Sequence, residues 1–268
     1  MKNRSLQSVK RLVVKVGTSS LMLPNGYINL RSIDQLAFVL STLKNQGYEI
    51  ILVSSGAIGV GMSHLNMTER PKTIAEQQAV AAIGQSELIK IYNQRFQYYH
   101  QIAAQVLLTR DVIDFPKSRT NVINTLNTLL EMGTIPIVNE NDSVAVDELD
   151  HQTKFGDNDQ LSAIVSVLSE ADVLIMLSDI DGFYSANPST NPDATLFHSV
   201  QAITPAIEAA AGGEGSIFGT GGMASKLKAA RRMLDNNSQM VLANGKEPSI
   251  IFDILDGQTI GTHFSAAQ

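Results

Sequence analysis

Six short runs of apolar, mostly β-branched residues recur along the chain, at about 12–16, 49–54, 102–108, 135–138, 173–177 and 239–242. Strands with one solvated face alternate apolar and polar residues. These runs are apolar nearly throughout, the pattern of strands buried on both faces of a largely parallel sheet. Helical stretches separate them. Ile33, Leu36, Ala37, Leu40 and Leu43 keep the i, i+3, i+4, i+7 spacing of one helix face, and Gly47 ends the stretch. Leu161, Ile164, Val165 and Leu168 repeat the spacing, entered through Asp157-Asn158-Asp159. A longer helix over about 74–98 carries Gly84 and Ser86, small residues that fit either the close approach of another backbone, such as a partner subunit's, or a kink. The alternating order predicts an α/β fold around one central sheet.

With 268 residues the chain is long enough for one large α/β domain or two small ones. An Ala-rich and then Gly-rich segment, 205–222, is expected to be a short helix and a loop rather than a linker between domains. Twenty basic residues against twenty-six acidic ones leave a net charge of −6, which argues against nucleic acid as the main partner. An anionic ligand would therefore need a local positive site inside a negative envelope. Cysteine is absent, which excludes disulfides, thiolate metal sites and a cysteine nucleophile. The basic N-terminus has an apolar run of only four residues interrupted by Lys15, too short for a signal peptide or a membrane span, so a cytoplasmic location is expected.

Ligands of such sheets gather beyond the carboxyl ends of the strands. The first strand ends Val14-Lys15-Val16-Gly17-Thr18-Ser19-Ser20. A lysine in a buried strand needs a partner for its charge, or else snorkels to water. The second strand ends Ser54-Ser55-Gly56-Ala57, either an anion-binding helix N-terminus or a tight turn that needs glycine. The fourth runs into Asn139-Glu140-Asn141-Asp142 and on to Gly156-Asp157-Asn158-Asp159, with seven carboxylates between 140 and 159 against one lysine. That acidic patch suits an ammonium group or a metal ion. Asp157 alone is read as a helix N-cap, whereas Asp142 stands where ligands bind. The fifth strand exits as Ser178-Asp179-Ile180-Asp181-Gly182, a ligand contact or an ordinary turn. Finally, Gly219-Thr220-Gly221-Gly222-Met223-Ala224-Ser225-Lys226 opens a helix, its glycines free to wrap phosphate and its lysine about one turn in. No P-loop, protein-kinase loop, nucleophile elbow or HExxH pair occurs.

Taken together, VVKVGTSSL, VSSGAIGVG, VNENDSVAVDEL, FGDNDQLSA, LSDIDGFYSANP and GTGGMASK, in this order and spacing, resemble the amino acid kinase family and, within it, the glutamate 5-kinase branch. The resemblance runs from about residue 12 to the end. It implies a three-layer α/β/α sandwich with a mainly parallel eight-stranded sheet. It also implies a single kinase domain over 1–268, with an amino-acid-binding half at about 1–170 and an ATP-binding half at about 171–268. Many members continue into a PUA domain, and this sequence is expected to stop before one.

The implied reaction moves the γ-phosphoryl of ATP, with Mg²⁺, to the γ-carboxylate of L-glutamate, the first step of proline biosynthesis. Carried over by motif, Lys15 and Lys226 hold the transferring phosphoryl and Asp159 orients both. Ser55, Asp142 and Asn158 receive glutamate. Lys15, Ser178, Asp179, Thr220, Gly221, Gly222, Met223, Ala224, Ser225 and Lys226 contact ATP. No residue is assigned to Mg²⁺, which phosphates and water largely hold. Proline is implied as feedback inhibitor, and a homodimer or homotetramer as the assembly. The alternatives are a sister kinase acting on aspartate, N-acetylglutamate, carbamate or UMP, and a non-catalytic amino acid sensor. The last is disfavoured by the presence of Lys15, Asp159 and Lys226.

Overall fold

The computed structural model describes residues 6–144, 157–211 and 222–266. Ten strands are present among them: β1 (Arg11–Val16), β2 (Glu49–Ser54), β3 (Ala103–Leu108), β4 (Ile135–Glu140), β5 (Val173–Ser178), β6 (Phe183–Tyr184), β7 (Leu196–Phe197), β8 (Ser199–Val200), β9 (Gln239–Asn244) and β10 (Thr262–Phe264). Eight of them form one sheet in the order β3-β4-β2-β1-β5-β9-β10-β8, while β6 and β7 pair as a separate hairpin. All pairings in the large sheet are parallel except β9 with β10. The chain builds β2, β3 and β4 on one side of β1 and then crosses to β5 on the other. The topological switch, where open α/β sheets bind ligands, therefore lies beside β1.

The described helices are α1 (Thr18–Leu21), α2 (Leu30–Asn45), α3 (Ala57–His64), α4 (Ile74–Tyr98), α5 (Asp111–Asp114), α6 (Pro116–Glu131), α7 (Asn158–Leu168), α8 (Pro205–Ala210), α9 (Met223–Asp235) and α10 (Ile250–Leu255). Alternation along β1 sorts them into two layers, because successive side chains point to opposite faces. Leu12, Val14 and Val16 join a core with Leu36 and Leu40 of α2, Leu88 and Tyr92 of α4 and Ile254 of α10. Val13 joins the opposite core with Leu126 of α6, Leu161 and Val165 of α7 and Ala230 of α9. Lys15 has the parity of Val13, so it emerges on the face carrying α7 and α9.

Local chemistry explains the helix ends. The Asn29 side chain accepts from Ser32 N at the start of α2, and Gly47, at φ +96°, turns the chain after its end. Thr73 and Glu76 close a reciprocal capping box on α4.

The expected strands are present, with β4 and β9 running two residues beyond the expected ends so that Asn139 and Glu140 are strand residues. The short strands β6, β7, β8 and β10 were not expected; two or three residues carry no periodicity. Gly84 does admit a close backbone, and the backbone belongs to α3 of the same chain rather than to a partner. A Cβ on Gly84 would lie 1.8 Å from the Ala57 carbonyl oxygen, and one on Gly61 would lie 2.2 Å from the Val80 carbonyl oxygen. Among the described residues no helix is long and apolar enough to cross a membrane.

Candidate active site

Because β1, β2, β4 and β5 are parallel, their carboxyl ends Val16, Ser54, Glu140 and Ser178 open on one edge of the sheet. A cleft of about 260 Å³ lies there, lined by residues including Lys15, Gly17, Ser55, Asp157, Asp159, Ser178 and Lys226. Its floor is an ion triad. Lys15 Nζ lies 2.7 Å from Asp159 Oδ1, and Lys226 Nζ donates to Asp159 Oδ2 over 3.0 Å. The three residues are 7%, 8% and 2% exposed for Lys15, Lys226 and Asp159, so one buried carboxylate holds two buried ammonium groups beside an open cleft. The triad carries one surplus positive charge. Asp157 and Asp179 line the same cleft and offset that charge over distance, so what the site offers an anion is two buried ammonium groups at close range. Lys15 therefore meets a partner rather than snorkelling.

Each member is placed by a different element. Lys15 sits in β1, one residue before its end. Asp159 sits in the first turn of α7, whose start is capped by Asp157: its Oδ1 accepts from Asp159 N and Gln160 N, each over 3.0 Å. Burial, and then the neighbouring charge of Asp159, push the Asp157 carboxyl above the usual carboxylate range. Lys226 sits in the first turn of α9, behind Gly222. Gly17 lines the cleft, and a Cβ there would meet Lys15 Nζ at 3.4 Å, an ordinary contact.

Asn158 links this cleft to a second one. Its amide donates to Ser55 Oγ over 2.7 Å and to Asn139 Oδ1 over 3.0 Å, and Asn139 in turn donates to Gln85 Oε1 over 2.8 Å. Gln85 lines the second cleft, about 270 Å³, together with Ala57, Gln105, Glu140 and Asp142. Gly56, at φ +98°, makes the turn from β2 into α3 that brings Ser55 and Ala57 to these walls.

The structure thus gathers Lys15, Ser55, Asn158, Asp159, Ser178, Asp179 and Lys226 around one cleft and sets Asp142 on the adjoining one. Ser178 Oγ donates to Asp179 Oδ1 over 3.1 Å. Gly222, Met223, Ala224 and Ser225 form the entry to α9, while Thr220 and Gly221 lie outside the described residues. Three residues were not singled out from sequence. Asn139 lay inside a quoted motif, and Gln105 lies in β3. Gln85 had a signal: it is the polar residue between the two small ones, Gly84 and Ser86.

Comparison with known proteins identifies the family. The model of the amino acid kinase family matches residues 10–244. Curated relatives include "Glutamate 5-kinase" of Enterococcus faecalis, 66% identical over 264 residues covering 98% of this chain and 97% of the relative. The protein of the same name from Listeria monocytogenes is 64% identical, covering 98% of this chain and 95% of the relative. Among solved structures, carbamate kinase from Giardia lamblia bound to AMP-PNP superposes with a TM-score of 0.68 at 15% identity, covering 97% of this chain and all of that one. Isopentenyl phosphate kinase of T. acidophilum, in a product complex, gives 0.65 at 17% identity, covering 95% of this chain and 100% of that one. At such identities these two speak for the fold alone. The chain belongs to the amino acid kinase family and stands among its glutamate 5-kinases.

Proposed function

We propose that the protein transfers the γ-phosphoryl group of ATP to the side-chain carboxylate of L-glutamate, giving L-glutamyl 5-phosphate for proline biosynthesis. The observation that carries this reading is the pair of ammonium groups fixed by one carboxylate at the switch point of the sheet. The name shared by relatives at 60–66% identity supplies the substrate. No observation favours aspartate, N-acetylglutamate or a sensor role.

Phosphoryl transfer needs positioning and charge neutralisation rather than a covalent nucleophile. In this reading a γ-carboxylate oxygen of glutamate attacks the γ-phosphorus, the bond from phosphorus to the β–γ bridging oxygen breaks, and ADP leaves. Lys15 and Lys226 neutralise the non-bridging oxygens, and Asp159 keeps both ammonium groups aimed at them. No general base is required, because a carboxylate with an ordinary pKa of about 4.3 is already ionised at neutral pH. Ser55 and Asn158 receive the substrate, Asp142 in the adjoining cleft pairs with its α-ammonium, and the half around β5 and α9 takes the nucleotide.

A kinase of this family uses a divalent ion with ATP. Among the described residues no group of three His, Cys, Asp or Glu could hold a metal. Asp157 Oδ2, however, is buried at the cleft with the Ser225 hydroxyl beside it, and suits a water of hydrated Mg²⁺. The fit is to an ion carried on phosphates and water, and its charge would add to that of the lysines. Proline, which shares the α-carboxylate and an ammonium but has no side-chain carboxylate, would occupy the amino end of the pocket and compete with glutamate. A cytoplasmic location suits this chemistry.

A hydroxylamine trap tests the assignment. With MgATP and a panel of amino acids, glutamate should yield a hydroxamate and added proline should suppress it competitively. No hydroxamate from glutamate, or a stronger signal from aspartate or N-acetylglutamate, would overturn the assignment.

A further inference from the structure

Lys226 and the carboxylate that holds it stand on different helices, so the geometry of the triad depends on how α9 is seated against α7. At the entry to α9, Gly222 offers no side-chain cap, Met223 packs against the core and the Ser225 hydroxyl lies against the Asp157 carboxylate. Beside the Lys226–Asp159 pair, a hydrogen bond joins the two first turns. The side-chain amide of Gln160 donates from Nε2 to the Ser225 carbonyl oxygen over 2.8 Å. Gln160 follows Asp159 in the chain and Ser225 precedes Lys226, so this bond runs alongside the ion pair. Its own base is fixed, since Gln160 N donates to the Asp157 cap over 3.0 Å.

The two bonds respond differently to a nucleotide. Phosphate oxygens compete with Asp159 for the Lys226 ammonium, which weakens the ion pair when α9 most needs to be in register. The Gln160 amide donates to a backbone carbonyl, for which an anion does not compete. We propose that Gln160 is a positioning residue for phosphoryl transfer: its tether keeps the first turn of α9 seated on α7 while Lys226 is shared between Asp159 and the phosphates. This inference rests on the kinase reading above. The Ser225 carbonyl is also a helical carbonyl with an acceptor role inside α9, so loss of the tether should affect function more than folding.

Gln160→Leu removes the amide at similar volume. Gln160→Glu keeps the shape but turns an oxygen toward the Ser225 carbonyl. For both, kcat, the two KM values, the Kd for the non-hydrolysable analogue AMP-PNP and the ligand-free Tm should be measured. The expected result is a kcat lower by about tenfold and AMP-PNP binding weaker by several-fold, the scale of one lost hydrogen bond. Glutamate KM should stay within about twofold and Tm within a few degrees. Unchanged kcat and AMP-PNP affinity would overturn the inference. So would equal losses for both substrates with a lowered Tm, the signature of a structural role. If the leucine variant does not fold, the glutamate variant decides. A wild-type protein that makes no hydroxamate from glutamate removes the kinase reading itself, whereas an active wild type with unperturbed variants removes only the role of Gln160.

Discussion

Lys226 and Asp159 stand 67 positions apart in the chain and meet through a 3.0 Å hydrogen bond, with 10% and 3% of their side chains exposed. The contact joins two helices that flank the switch point of the sheet, and Asp159 uses its other oxygen to hold Lys15. Removing either lysine leaves the carboxylate paired, whereas removing the carboxylate leaves two like charges buried together.

That asymmetry predicts a stability order. Asp159→Asn should lower unfolding stability by about 3–5 kcal/mol, the scale for leaving buried charge uncompensated. Lys15→Ala and Lys226→Ala should each cost clearly less. Urea unfolding of the three variants measures this directly, and equal losses would show that Asp159 does not balance the pair.

Asp142 lies on the adjoining cleft, away from the triad, and the proposed reading pairs it with the α-ammonium of glutamate. Asp142 is half-buried; with glutamate covering it, Asp142→Asn should raise the glutamate KM at least tenfold, since truncating one partner of a charge pair buried by binding costs about 2–5 kcal/mol. The ATP KM should move little. A variant with normal glutamate KM and a raised Mg²⁺ requirement would make Asp142 a metal residue instead.

His263 in β10 supplies a pH dependence. Its Nε2 shares a 2.8 Å hydrogen bond with Gln239 Oε1, and burial holds its imidazole below the ordinary value of about 6.5. As pH falls below about 6.5 the unfolded chain takes up a proton that the folded protein does not. Stability is therefore full above that pH and is lost as pH falls toward the lowered folded value. His263→Gln should flatten the curve over that interval. Parallel curves for variant and wild type would place the titration elsewhere.

Much of this fold could be read from sequence because its strands are buried on both faces. Continuous apolar runs such as that at 173–177 announce a central parallel strand, and the parity of Lys15 with Val13 decides which face it serves. The turn after β2 was readable for a similar reason, since glycine at 56, at φ +98°, answers a local steric demand. Long-range pairing was not readable. Nothing local in Asn139 or Gln85 tells that their amides meet across β4 and α4, or that Gln160 reaches α9. Gly84 left a close backbone and a kink equally open; that the backbone of α3 comes close there is a fact of packing.

The central claim is that Lys15 and Lys226 act on the phosphoryl group in flight. Rapid-quench single-turnover transfer from γ-labelled ATP to glutamate, at saturating substrates, isolates that step from binding and product release. For Lys226→Ala and Lys15→Ala the transfer rate should fall by about a hundredfold or more, the scale for losing one transition-state contact, with the ATP dissociation constant changing much less. A near-normal transfer rate in either folded variant would contradict it.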